Sequence, residues 1–294
     1  MANTSIQIFF SKLYKKAFED DIFSRAAQVG FYFSFAIFPL LLFLVSLFGI
    51  FLDATDNFKL ELFFYLKQIM PYSAYDLVRT TIEETTQNST GGKLTIGLLV
   101  AVWSASAGID SLRNALNAVF DFKESRSWWK TKLLSIIFTV LLTLLITMAL
   151  GAVFYGWKFA SFLLSAIGIP DPSPFYLVFI QWIITLAVLL FIFELLYNVL
   201  PDRKPFRWFW ITPGAIVGIV LWLILSNSLR TYLEYFNTYD RTYGSIGAVI
   251  ILMLWLYLTA LVILAGGIIN SIMEEFKTAK QLEAEVRVID GEPE

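Results

Sequence analysis

The sequence predicts an all-α fold: a polytopic membrane protein built as a six-helix transmembrane bundle, with an amphipathic N-terminal helix and an external helical hairpin. Three observations predict it. Of 294 residues, 57% are apolar, 17% aromatic and only 16% charged, and mean hydropathy is +0.68; a soluble domain has about 45–50% apolar and about 25% charged residues. The apolar residues collect into six runs, each long enough to cross a bilayer, for which about 20 residues are needed. The basic residues gather on one side of those runs. The same composition excludes disorder, a collagen-like chain and a disulfide-stapled secreted domain.

Taken in order, residues 5–24 read as an amphipathic helix. Ile6, Phe10, Leu13, Ala17 and Phe18 recur at three or four residues, with Lys12, Lys15, Lys16 and Glu19 elsewhere around the wheel. Two placements are open: the inner headgroup region, or a cytoplasmic helix packed on the bundle. Residues 1–26 carry seven charges before any long apolar run, so a cleaved signal peptide is not expected. The first span runs from about Ala27 to Leu52, and Pro39 removes one of its backbone hydrogen bonds and kinks it. From about 53 to 93 an external loop follows. Phe58, Leu62, Tyr65, Leu66 and Ile69, then Tyr75, Val78 and Ile82 beyond Pro71, have helical spacing, which predicts a hairpin closed by a flexible 88–92 segment. Its Asn88-Ser89-Thr90 triplet matches a glycosylation acceptor, a weak motif alone.

The second span, about Leu94 to Leu116, is the least apolar, and the third runs from about Leu133 to Trp157. The stretch Phe159 to Pro174 either lengthens the third helix or forms a separate interfacial piece before a proline-rich turn. The fourth span covers about Phe175 to Leu200, the fifth Phe209 to Leu229 and the sixth Ser245 to Ile269. Residues 1–275 thus read as a single transmembrane domain. Residues 276–294 form a cytoplasmic tail, helical to about Val286 and disordered over 288–294. Six spans put both termini on one side, and that side takes fifteen of the 22 basic residues, which makes it cytoplasmic. Trp128, Trp129, Trp208 and Trp210 stand beside basic residues at the cytoplasmic ends, where indole rings settle at headgroup depth.

Several chemistries are excluded. There is no Cys and no His, hence no thiol nucleophile, no Cys-ligated metal and no imidazole base. No phosphate-binding loop or hydrolase elbow is present. An enzyme is not expected, nor any cofactor. The net charge of −2 gives no sign of a nucleic-acid partner.

Candidate sites are polar groups within spans, because a charge in hydrocarbon costs about 2.5–3.5 kcal/mol or more. Glu194 lies in the fourth span about two turns from Pro201, followed by Tyr197 and Asn198. It is either a proton, ion or headgroup site, or a structural hydrogen-bond or ion-pair partner inside the bundle. In the second span Asp110 and Arg113 share a helix face, with Asn117 on a neighbouring surface. Such a strip lines a polar cavity or serves close helix packing. Outside the spans, Arg241 and Tyr243 precede the sixth helix, where Arg241 grips phosphate or carboxylate, or else serves with its neighbours as interfacial anchor and cap. Gly214, Gly218, Gly266 and Gly267 read as helix-packing positions.

Three patches carry a resemblance. They are Arg25-Ala26-Ala27-Gln28-Val29-Gly30-Phe31-Tyr32 with Phe38-Pro39-Leu40, Leu196-Tyr197-Asn198-Val199-Leu200-Pro201 through Pro213-Gly214-Ala215, and Tyr243-Gly244-Ser245-Ile246-Gly247 with Trp255-Leu256-Tyr257. Over about residues 10–275 the chain resembles the YihY/BrkB family of bacterial inner-membrane proteins. The resemblance implies an inner-membrane location, six spans and cytoplasmic ends. Members are often labelled ribonuclease BN, but a zinc-hydrolase nuclease needs His ligands, and this chain has none. The family's ties to serum resistance and the envelope imply a role beside a periplasmic lipid-bridging protein. The leading expectation is handling of lipid or another amphiphile for envelope maintenance, with membrane lipids and an envelope protein as partners. One alternative is an ion- or proton-coupled transporter using Glu194 and Asp110. Another is a non-transporting scaffold.

Overall fold

The computed structural model describes residues 2–35, 63, 79, 91–166, 174–235 and 245–289. Among the described residues the chain is helical, with no strand. In order the helices are α1 (Ala2–Glu19), α2 (22–35), α3 (Gly91–Val119), α4 (Trp128–Ala166), α5 (Pro174–Val199), α6 (Pro213–Tyr235) and α7 (Ser245–Ile289).

Four segments are long and apolar enough to cross a membrane: Trp128–Ala149, Phe175–Val199, Pro213–Leu233 and Val249–Leu282. They correspond to the third to sixth expected spans. The second expected span lies inside α3, a continuous 29-residue helix. Its polar residues Ser106, Ser111, Arg113 and Asn117 are buried, so its polarity is turned into the protein. Of the first expected span, residues 27–35 belong to α2. Residues 36–52 with Pro39, the external segment up to residue 90 apart from positions 63 and 79, the Asn88 triplet, residues 167–173, Arg241, Tyr243 and residues 290–294 lie outside the described residues. Among the described residues four candidate spans are therefore shown, with α3 and the start of α2 at the places of the other two expected spans.

Two boundaries differ from the sequence reading. Gly91, Gly92 and Lys93, expected to close the loop, already belong to α3. Residues 159–166 continue α4 without a break, so the described part of the ambiguous stretch lengthens that helix; 39 residues are about 58 Å long, roughly twice the hydrocarbon thickness. The helix expected to end near Val286 in the tail is continuous with the sixth span and runs on to Ile289.

Local chemistry explains the ends. α5 and α6 both begin on proline, whose fixed φ suits a first helical turn and whose missing N–H is not needed there. α3 stops in a Schellman turn: the Phe122 amide donates to the Asn117 carbonyl at 2.8 Å and the Asp121 amide to Ala118 at 3.0 Å, with Asp121 at φ 57°. Asp21, at φ 51°, closes α1 in the same left-handed conformation.

Helices α4 and α5 pack together, as do α6 and α7, and α3 lies against α4 and α7. A Cβ on Gly214 would overlap the Gly266 carbonyl oxygen, and one on Gly266 would overlap the Tyr197 hydroxyl. The two helices therefore meet backbone to backbone, as small residues allow in membranes. Trp222 Nε1 donates to Thr259 at 3.1 Å and Trp255 Nε1 to Ser226 at 3.3 Å, tying the same pair further along. On α4, Thr139, Thr143 and Thr147 each donate to the carbonyl four residues back, which satisfies these hydroxyls within the helix. Most of the most deeply buried side chains, among them Leu112, Leu116, Val119, Tyr197, Leu200, Leu264 and Ile268, come from the end of α3, the end of α5 and the matching part of α7, with Val29 of α2 and Thr143 of α4 beside them. The core thus sits at one end of the bundle. There α1 packs Phe9, Leu13 and Ala17 against it, and Lys16 Nζ donates to Asp121 at 2.7 Å, Ser271 at 2.8 Å and Glu275 at 3.1 Å.

Candidate functional site

The turn between α3 and α4, the link between α5 and α6, and residues 270–277 of α7 converge at this end. The resulting site has two polar groups with a cavity beside them.

The first group grows from α3. Arg113, 6% exposed, donates to Glu124 at 2.5 Å and to Asp110 at 3.4 Å. Asp110 also accepts from Ser135 Oγ at 2.6 Å and Lys132 Nζ at 3.1 Å. Asn117 donates to Glu124 at 3.1 Å and accepts the Asp202 amide at 2.8 Å. Arg126 clasps Glu124 at 2.7 and 3.0 Å and reaches the Leu200 carbonyl at 2.8 Å. Asp202 accepts the Ser125 amide at 2.7 Å and also the Ser125 hydroxyl, to which Lys204 donates in turn. Burial pushes the Glu124 carboxyl upward, but the Arg126 hydrogen bonds and the Arg126 and Arg113 charges outweigh it and hold the group below the usual range. Burial likewise raises Asp202, and the Ser125 bonds with the Arg126 and Lys204 charges bring it below its ordinary value. Asp110, Arg113 and Asn117 are thus brought together, as a strap between α3, α4 and the two loops.

The second group surrounds the start of α6. A buried helix start leaves backbone donors that must find partners where water is scarce. Thr212 Oγ1 accepts the Ala215 amide at 3.3 Å, and Asn270 Oδ1 accepts the Gly214 amide at 2.7 Å. Glu194, 2% exposed, accepts the Thr212 amide at 2.6 Å and its hydroxyl at 2.9 Å, while Asn198 donates to its other oxygen at 3.1 Å. Asn198 pairs with the Phe209 backbone in both directions, at 3.0 and 2.8 Å. Tyr197 donates to the Ile263 carbonyl at 2.8 Å. So Glu194, Tyr197 and Asn198 all stand at this junction, with Glu194 at the positive end of the α6 dipole. Glu194 and Asp110 share no hydrogen-bond partner among the described residues.

Beside this junction lies a cavity of about 50 Å³ with a mixed lining. Polar Asn198, Thr212, Asn270, Arg203, Glu274 and Lys277 line it together with apolar Phe120, Phe209 and Met273. The Arg203 side chain is 7% exposed and pairs with Glu274. Its guanidinium lies 5.3–5.5 Å from the ring centres of Phe120, Phe122 and Phe209, within cation–π range.

Sequence reading missed Arg203, Asn270, Glu274 and Lys277. Arg203 stands in a basic run that counted only toward topology, and Asn270 follows the glycine pair at the end of a span. A polar residue so placed is a signal that the span's end caps something. Of the α3 strip's partners, Glu124 and Asp202 come from loops. Among the described residues no three acidic side chains cluster in a way that would hold a metal.

A family profile described as virulence factor BrkB matches residues 13–288, a range that holds every residue of both groups. Among curated relatives, a ribonuclease-like protein, YfkH, of Bacillus subtilis (strain 168) is 32% identical over 254 residues, covering 86% of this chain and 90% of the relative. A protein named UPF0761 membrane protein from Idiomarina loihiensis is 26% identical over 231 residues, covering 76% and 75%. One of the same name from Chromobacterium violaceum is 25% identical over 240 residues, covering 80% of this chain and 54% of the relative. No solved structure matches the chain.

Proposed function

We propose a function on this premise: the chain belongs to the virulence factor BrkB family. It is a membrane protein, and in our reading it lies in the bacterial inner membrane with both termini in the cytoplasm. There it handles lipid or another amphiphile for envelope maintenance, with an envelope protein meeting its external segment at about 53–93. The polar group of the amphiphile enters the cavity beside the α6 start, and the apolar part lies against Phe120, Phe209 and Met273.

The observation that carries this reading is the mixed polar and apolar lining of that cavity. Pockets for small organic molecules combine apolar and aromatic surface with a few placed polar groups, which is the combination an amphiphile needs. Exposed Trp128, Trp129 and Trp210 stand at the same end of the bundle, which supports headgroup depth for the opening. The ion- or proton-coupled reading needs Glu194 and Asp110 on one path, and their separate partner sets favour the amphiphile instead. The ribonuclease-like name of one relative finds no support in the residues of the site, and we assign no enzymatic activity.

The test uses Lys277→Glu and Asn270→Leu in the full chain. Loss of a hydrogen bond to a charged group is worth about 1.5–3 kcal/mol. Lipid retained through purification, read by native mass spectrometry, is therefore expected to fall by about tenfold or more. Cells relying on either variant should lose detergent resistance. Full retention and wild-type resistance in folded protein would overturn the proposal.

A further inference from the structure

The N-terminal helix has three distinct faces: one packed on the protein, one charged and exposed, and one apolar and exposed. Phe9, Leu13 and Ala17, four residues apart, pack on the core beside Lys16, which is held by Asp121, Ser271 and Glu275. Lys15 and Glu19 pair with each other at 3.6 Å, with side chains 71% and 64% exposed, and make a charged outer face. The third face carries Phe10, Tyr14 and Phe18, 61%, 69% and 57% exposed. These also stand four apart, one above another on the helix and about 100° round from the packed stripe.

We propose that this aromatic face seats α1 on the lipid surface of the inner leaflet. Two observations choose lipid over protein. The stripe does not stop with the helix. The Tyr14 and Phe18 rings lie 4.6 Å apart, the Phe18 and Phe23 rings 5.6 Å apart, and exposed Phe31 and Phe35 continue it along α2 with rings 4.9 Å apart. In the six-span reading α2 opens the first span and turns these exposed side chains to hydrocarbon, so the aromatic run would join a lipid-facing surface to α1. The charges are also in the right places: Lys12 and Lys16 are committed to Glu275 and Asp121, and Lys15 to Glu19. With its cations taken up internally, α1 meets the bilayer by apolar insertion at the headgroup boundary, about 5–10 Å deep, and without selection for anionic lipid. The inference is independent of the cavity.

Because the chain has no cysteine, single spin labels report without background. Phe10→Cys, Tyr14→Cys, Phe18→Cys and Lys15→Cys are labelled in the full chain. Each is reconstituted in phosphatidylcholine vesicles with and without phosphatidylglycerol. The expected result is a higher ratio of oxygen to aqueous-nickel accessibility at 10, 14 and 18 than at 15, equal in both lipids. Three outcomes would overturn the proposal: water accessibility at 10, 14 and 18 like that at 15, lipid contact only with phosphatidylglycerol present, or exclusion of both relaxants, which would mark a protein or a second copy of the chain on this face.

Discussion

Glu194 shows how a buried carboxylate is held without a counter-cation at hand. Its oxygens receive the Thr212 amide and hydroxyl and the Asn198 side chain, so its surroundings are built from donors. Gln in its place keeps an acceptor for Thr212, whereas Ala strips the α6 start of a partner. An unsatisfied buried group costs about 1–3 kcal/mol. Glu194→Ala is therefore expected to lower the thermal midpoint in detergent clearly, and Glu194→Gln only slightly. Lipid retention by Glu194→Gln should match wild type. Abolished pH-dependent flux in proteoliposomes of that variant would instead support the transporter reading. At this scale the sequence announced which residues are unusual, because any charge among apolar neighbours is conspicuous. It did not announce their partners. The nearest partners of Arg113 and Asn117 include Glu124, and the backbone of Asp202 meets Asn117; both lie in loops where acids are common and carry no signal of their own.

Among the helices, α4 to α7 were legible because a hydrocarbon solvent imposes its demand on composition residue by residue. Helix α3 was harder for the same reason inverted: its polar strip is buried against protein, which lowers its apolar character without removing it from the bundle. The contact between α6 and α7 rests on two glycines whose Cβ atoms would collide with the opposite backbone or the Tyr197 hydroxyl. Gly266→Val should force the helices apart and, with the Tyr197 bond to Ile263 disturbed, destabilise by about 1–3 kcal/mol or more. Loss of the monodisperse peak on size exclusion is the expected readout. The same substitution at Gly151, around which a Cβ meets nothing within 4 Å, should leave that peak unchanged.

For the whole molecule, the proposed orientation rests on where the basic loops fall. Lys16, Arg113, Arg126, Arg203, Lys204 and Lys277 all gather at the end that holds the core, and that end is the one the charge count assigns to the cytoplasm. Single cysteines at Lys123 and Lys280 should react with an impermeant thiol reagent only in inside-out vesicles, and one at Arg241 only in intact spheroplasts. The reverse pattern would invert the topology and move the cavity to the outer face. The cavity was invisible in the sequence for a physical reason: its walls come from four separated stretches, of which only Tyr197 and Asn198 stood out as candidates, and only the fold puts Arg203 among three rings.

The turn at Asp121 has one more implication. A glycine would take its left-handed backbone with less strain, yet only a side chain carboxylate there meets Lys16. The position trades local ease for anchorage, so a relaxing exchange to glycine would leave the end of α3 content and the N-terminal arm loosely moored.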